Sequence, residues 1–196
     1  IKWEETTTWN FGIDFGFLNN RIAGNLEVYK RKTKDLLTWA TVPAGSNLTN
    51  AMNTNIGDLE NTGIEFNINT RPVVTRDFTW TSDFNISWNK NKITKLTDGD
   101  DPGYFIATGG ISAGTGTNIQ AHMVGHPAYS FYVYQQVYDV NGDPIEGQFV
   151  DRNGDGQITE ADKYIYHSRD PKVVFTWNNT FNYKNSVSYT HLTLPT

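Results

Sequence analysis

The chain has 196 residues, a formal net charge of −5, 14% aromatic and 37% hydrophobic residues, 17 Gly and no Cys. The acidic balance, without any basic run, excludes nucleic acid as the main partner, and the missing Cys excludes disulfides, thiolate metal sites and Cys nucleophiles together. No run of about 18 apolar residues occurs, which excludes a transmembrane helix but leaves open a transmembrane β-barrel, whose strands need only about 10 alternating residues.

The richness in Tyr, Phe, Trp and Thr, with Gly and Asn between them, predicts an all-β chain. The opening "IKWEETTTW" lacks Met and reads as the continuation of something longer. In "TTTWNFGIDFGFL" the large apolar residues fall on Trp9, Phe11, Ile13, Phe15 and Phe17, and Asn10, Gly12, Asp14 and Gly16 fill the other face, the period of a strand. Asn19-Asn20 makes a tight turn into "RIAGNLEVYKRKTKDLL", where Ile22, Gly24, Leu26 and Val28 share a face. A polar stretch at 38–56 reads as a long loop. The next strand, "NTGIEFNINTRPVV", alternates Ile64, Phe66 and Ile68 against Glu65, Asn67 and Asn69, and a short turn at 75–77 leads to a fourth. In that fourth strand Phe78, Trp80, Ser82, Phe84, Ile86 and Trp88 share a face. Residues 97–170 are Gly-rich and weakly patterned, a long and partly self-folded excursion. Alternation then returns in "PKVVFTWNNTFNYK", with Val173, Phe175, Trp177, Phe181 and Tyr183 on one side.

Two classes of architecture fit this pattern. A soluble calcium-stabilised β-sandwich that binds glycans explains the alternation. A transmembrane barrel of antiparallel strands also explains why connections alternate between very short and very long, and why aromatics gather towards the strand ends. With the short turns periplasmic, the excursion at 97–170 lies outside the cell. Partition into detergent separates the two readings.

Within the excursion, "DRNGDGQITEAD" spaces oxygen-bearing residues as a calcium loop does: Asp151, Asn153 and Asp155 at positions 1, 3 and 5, and Gly156 at the sharp turn. Gln157 follows with its backbone carbonyl, Thr159 stands where a water is held, and Asp162 takes position 12. Asp replaces the Glu of sensor EF-hands, and the flanks "PIEGQF" and "KYIYH" read as strands rather than helices. The expected cofactor is therefore one structural Ca²⁺ pinning a loop, set against a hydrated turn without metal. His122, His126, His167 and His191 have no metal-ligand spacing, and no nucleophile elbow accompanies them, so no enzyme is expected. The glycines of "GTGTNIQ" lack the helix and lysine of a phosphate loop. Tyr104, Phe105, Tyr129, Phe131, Tyr132 and Tyr134 are expected to form the small core of the excursion rather than a ligand platform.

The stretches "IKWEETTTWNFGIDFGFLNNRI", "VPAGSN", "TNIGDLENTGIEFNI", "WNKNKITKL", "VGHPAYSFYVYQ" and "PIEGQFVDRNGDGQIT" resemble the SusC/RagA family of TonB-dependent outer-membrane transporters of Bacteroidetes. The resemblance implies a barrel of about 22 strands around a plug. It further implies a SusD-like surface lipoprotein as partner, TonB acting through an N-terminal region absent from this chain, a glycan or peptide substrate, and outer-membrane lipid around the wall. Residues 1–185 would form about a quarter of such a barrel. The ending "SVSYTHLTLPT", 186–196, departs from the family and reads as a non-native tail of translated adapter sequence.

Overall fold

The computed structural model describes residues 1–41, 48, 51–96, 103–112 and 117–196. The strands are β1 (Glu5–Phe17), β2 (Ile22–Thr41), β3 (Ala51–Val74), β4 (Phe78–Lys95), β5 (Phe105–Gly110) and β6 (Asn118–Met123). They continue as β7 (Ser130–Val133), β8 (Gln136–Tyr138), β9 (Pro144–Phe149), β10 (Tyr164–Ser168), β11 (Val173–Tyr183) and β12 (Ser186–Pro195), with a 3₁₀ turn at Glu160–Asp162. The chain divides into two compact units, Ile1–Asn91 with Pro171–Thr196, and Lys92–Asp170.

The first unit is a single sheet in the order β1-β2-β3-β4-β11-β12, and every pairing with a described register is antiparallel. Directly opposed residues share a face, so the register carries each strand's alternation across the sheet. One face shows the rows Phe11–Val28–Ile64, Ile13–Leu26–Phe66 and Phe15–Gly24–Ile68. The same face continues through Ile86–Phe175, Phe84–Trp177, Trp80–Phe181 and Phe78–Tyr183. These side chains are not packed away: Trp9 is 77% exposed and Phe11 67%. In a sandwich such side chains would be covered; within this unit the apolar face stands open among the described residues, as a bilayer-facing wall requires.

The band has limits. It runs from Trp9 to Phe17 on β1 and from Phe78 to Trp88 on β4, comparable to the span of about 9–11 residues that a tilted strand needs to cross hydrocarbon. Beyond Val28 the same face of β2 turns to Lys30 and Lys32, whose ammonium groups reach Glu60 at 3.3 and 3.7 Å. β2 and β3, at 20 and 24 residues, therefore continue well past the band on the side of the long connections. The expected loop at 38–56 is much shorter than its sequence suggests, because Thr38 pairs with Thr54 and Ala40 with Met52. Thr and Asn on a two-sided polar ladder read as loop in composition yet satisfy a strand once a partner runs alongside. The "VPAGSN" stretch itself, at 42–47, lies outside the described residues.

Two close cross-strand approaches explain particular glycines. Phe15 opposes Gly24 and a Cβ there would stand 2.7 Å from the ring tip, and on the other face Tyr29 lies over Gly63, where a Cβ would meet the ring at 2.4 Å. The hairpin turn between β1 and β2 holds Leu18, Asn19 and Asn20 at φ of 54°, 56° and 58°, with Asn tolerating the left-handed conformation as its side chain permits.

The second unit is more ordered than an irregular excursion. Its strands form a four-stranded sheet, β10-β7-β6-β5, and a two-stranded ribbon, β8-β9. Ala121 and Ser130, cross-strand partners on β6 and β7, are both fully buried and mark its small core. Residues Ser186–Pro195 form β12, pairing with β11 from Tyr183–Ser186 to Val174–Pro195; the apolar residues change face along it, Val187 and Tyr189 opposite Asn182 and Thr180, and Leu192 and Leu194 opposite Trp177 and Phe175.

Placing a charge in the middle of the band tests the assignment of faces. Ile13→Lys or Phe66→Arg is expected to destabilise the full-length barrel by about 2–4 kcal/mol in a lipid-vesicle denaturant titration, whereas Asn67→Lys on the opposite face is expected to cost well under that.

Candidate functional site

The polar face of the first unit is concave and encloses about 730 Å³ between residues of β1, β2, β3, β4 and β11. Its lining is rich in amides and carboxylates, with Asp14, Glu27, Glu65, Asn67 and Asn85 among them. Glu27 stands directly opposite Glu65, a like-charge pairing that costs stability unless neighbours compensate. Asn10 and Asn25 do so by donating to the two oxygens of Glu27, each at 3.2 Å. Further along, Asn67 donates to Asn85, Asn69 to Asp83, and Asn91 to Asn61 at 2.7 Å. This surface offers hydrogen bonds to a hydroxylated or amide solute over its whole height and presents water with a wettable wall.

The acidic loop lies in the second unit, between β9 and β10. Asp151 accepts from Gly154 N and Gly156 N at 2.7 Å each, which draws the loop round its first carboxylate. Asn153 accepts from Asp155 N at 2.9 Å, and Asp155 accepts from Gln157 N at 2.8 Å and from the Asn153 amide at 3.0 Å. Gly154 and Gly156 sit at φ of 75° and 81°, conformations that a side chain would strain.

Asp162 is fully buried and closes the loop from behind. It accepts from Arg152 N at 2.8 Å, Asn153 N at 3.3 Å and Thr159 N at 2.8 Å. Thr159 in turn accepts from Ala161 N at 3.3 Å, so the two residues form a capping box on the 3₁₀ turn. The Thr159 N–H, followed by those of Arg152 and Asn153 and by the adjacent Asp151 side chain, holds the Asp162 carboxyl below its ordinary value, against the opposing effect of burial. Five predicted ligands are thus brought into one loop, although no group of three or more His, Cys, Asp or Glu side chains among the described residues is placed to hold a metal ion.

Two features of the loop had no motif to announce them. Arg152 stacks over Tyr164 at 4.4 Å and donates to Gln135 at 2.7 Å. Lys163 pairs with Glu160 at 2.7 Å and lies 5.3 Å from the Tyr134 ring, so cations on both sides of the loop fasten it to β7 and β10. Of the excursion's aromatics, Tyr132 packs against Phe105 at 5.0 Å and Tyr134 against Phe149 at 5.2 Å, but Phe105, Tyr132 and Tyr134 are only half-buried and Tyr129 and Phe149 are exposed, so the aromatics flank the buried Ala121 and Ser130 and do not themselves make the core. A second tight turn did have a sequence signal in "DVNGD": Asp139 accepts from Asn141 N and Asp143 N at 2.8 and 2.9 Å. The histidines lie on separate elements; His122 packs edge-on against Tyr129 and His191 bonds Asn178. Of the glycine segment "GTGTNIQ", residues 114–116 lie outside the described residues.

A family model described as TonB dependent receptor-like, beta-barrel, matches residues 1–142. The chain belongs to the TonB-dependent receptor β-barrel family. Within that family it is of the SusC/RagA type: it is 56% identical over 186 residues to the TonB-dependent receptor SusC of Bacteroides thetaiotaomicron, covering 94% of this chain and 18% of that one. It is also 35% identical over 205 residues to the TonB-dependent receptor P3 of Formosa agariphila, covering 94% and 20%. The chain thus spans about a fifth of the length of these curated relatives. In fold it superposes on the structure of the RagAB peptide transporter with a TM-score of 0.78 at 22% identity, over 98% of this chain and 21% of that chain. A second structure, the RagAB peptide importer in the open-open state, gives 0.75 at 19% identity, over 97% and 20%. Membership in this receptor family places the open apolar band in the outer membrane, and the family's members are transporters rather than enzymes.

Asp162→Ala is expected to accelerate amide exchange at Arg152, Asn153 and Thr159 together, leaving the amides of β11 unchanged. Because the Asp162 carboxyl titrates below its ordinary value of about 3.9, its contribution is fully present above about pH 4 and is lost as pH falls through the lower folded value. Hydrogen exchange across that acid range is expected to show the loop opening at pH values where β1–β4 stay protected.

Proposed function

We propose that this segment forms part of the wall of an outer-membrane importer for oligosaccharides or peptides, working with a SusD-like lipoprotein and energised through TonB. The observation that carries the reading is the two-sidedness of one sheet: an exposed apolar band of bilayer width backs a concave face lined with amides and carboxylates. A wall of this kind lets a hydrated solute pass while its other side stays in lipid. The peptide named for the RagAB structures supports a peptide as one of the two substrate classes, and the SusC relationship supports a SusD-like partner. On this reading residues 1–185 are barrel, 97–170 is an extracellular excursion whose compact unit begins at Lys92, and 186–196 is a non-native tail.

The excursion's loop would hold one structural Ca²⁺ through side-chain oxygens of Asp151, Asn153 and Asp155, the Gln157 carbonyl and Asp162. The donor set suits a hard cation, since all are oxygens and Asp151 and Asp155 each use two of roughly four acceptor sites on hydrogen bonds within the loop. Asp162 already accepts three N–H groups, which leaves it room for a single bond to the ion rather than the bidentate closure of a sensor. The ion would pin the loop and signal nothing.

Two measurements test these assignments. Deleting the full-length receptor in its host is expected to abolish uptake of either fluorescent oligosaccharides or fluorescent peptides, and unchanged uptake of both would overturn the import reading. Calorimetry on the full-length receptor in detergent is expected to show saturable Ca²⁺ binding that disappears in both Asp151→Ala and Asp155→Ala; binding that survives both changes, or is absent from the parent, removes the metal.

A further inference from the structure

Three hairpin turns of the first unit, at residues 18–21, 75–77 and 184–185, lie along one rim of the sheet, because β1-β2, β3-β4 and β11-β12 are adjacent pairs in its order. Their chemistry is one-sided. Arg21, Arg71, Arg76 and Lys184 are all exposed there, with Asp77 as the carboxylate among them. At the opposite end of the band, Lys30 and Lys32 share the single carboxylate of Glu60. At the turn rim no ion pair among the described residues engages any of the four cations.

The backbone also forces the cations together. Arg71 N donates to Arg21 O at 2.8 Å, which makes the two arginines cross-strand neighbours. The Arg21 guanidinium reaches over the strand end to Arg71 O and Pro72 O at 3.3 and 3.1 Å. In the next pair of turns Lys184 N donates to Asp77 O at 2.9 Å, so Lys184 and Arg76 flank one contact. Like charges set side by side without a counter-charge are destabilising, and an anion between them reverses the sign. Immediately above this rim stand the aromatics of the band: Phe78 and Trp80 stack on Phe181 at 6.5 and 5.8 Å, and the Lys184 ammonium lies 5.3 Å from the Tyr183 ring. Aromatic rings at the edge of hydrocarbon, with unpaired cations just beyond them, occupy the level of lipid phosphates.

We propose that the short-turn rim binds the phosphate headgroups of anionic phospholipid in the leaflet it meets, through Arg76 and Lys184; the Arg21–Arg71 pair follows the alternation of Ala23–Asn69 and Asn25–Asn67 and adds positive charge to the same rim from the polar side. The proposal rests on the membrane-wall reading and adds to it a lipid preference confined to one rim. Attraction of this kind accumulates with each cation near an anionic surface and weakens with salt.

The test uses the full-length receptor that carries these strands, delipidated in detergent and returned to nanodiscs of equal phosphatidylglycerol and phosphatidylethanolamine. Native mass spectrometry of the released receptor is expected to show phosphatidylglycerol retained several-fold over phosphatidylethanolamine. In Arg76→Gln/Lys184→Gln the preference is expected to fall at least threefold, with detergent extraction and heat-modifiable mobility of the barrel unchanged. Equal retention of the two lipids by the parent receptor overturns the proposal, and so does a preference that survives in the double variant. Complete displacement of the bound lipid by millimolar inorganic phosphate overturns it too, as that is the mark of a free-anion site. Should the double variant fail to fold, the parent comparison at low and high salt decides alone: a preference that salt does not reduce is not electrostatic. A parent receptor that does not enter the bilayer at all defeats the membrane-wall reading instead, which keeps the two failures apart.

Discussion

Everything in the first unit depends on the lateral hydrogen-bond ladder. Hydrocarbon offers no water to an unpaired N–H or C=O, so a strand can stand in it only when both neighbours complete its pairing. From β2 to β11 this condition is met by an uninterrupted run of neighbours, and the side chains are then sorted into two faces by geometry alone. The outer edges of β1 and β12 pair with no further strand among the described residues, so the sheet is an open piece of wall.

The sorting has an exception on the lipid-facing side of β4 and β11, and its resolution shows how the condition is met. Ser82 and Asn179 oppose each other among aromatics. Trp80 donates its indole N–H to Asn179 at 3.0 Å and Trp177 donates to Ser82 at 2.9 Å, each reaching diagonally across the strand pair. Asn179 is left only 7% exposed. Two polar side chains and two indole donors thereby satisfy one another, and the rings present carbon outward. Removing one partner would leave an unmatched polar group in lipid, which carries a cost of its own.

The strands were legible because bilayer-facing and solvent-facing residues alternate with a period that nothing else in the chain imitates. Trp9 to Phe17, Ile64 to Ile68 and Val173 to Tyr183 fall where the alternation puts them. Legibility ended where the residue types carry no contrast between faces: Thr38, Ala40, Asn53 and Thr54 do not alternate apolar with polar, so the pairing of β2 with β3 beyond the band was invisible until the ladder was seen. The excursion was opaque for a different reason. Its four-stranded sheet rests on a core of Ala121 and Ser130, residues too small and ordinary to mark a strand. At the acidic loop, spacing identified the oxygen-bearing residues of 151–162 but could not show that Asp162 is buried and accepts three backbone N–H groups. Nor could it show that Arg152 and Lys163 dock the loop on tyrosines.

The stem from which the excursion hangs has a consequence of its own. β4 leads into residues 92–170 and β11 leads out, and these two strands are paired along eleven registered positions, with Asn89 N bonded to Lys172 O at 2.9 Å where the stem ends. The two ends of the excursion are thus held together by the wall itself, and closing a longer or shorter insertion there costs little more, about 0.6 kcal/mol for each doubling of length. Such a junction behaves as a cassette port. An insertion there can change in length or content, whole sheets included, without altering the registered pairs of the wall.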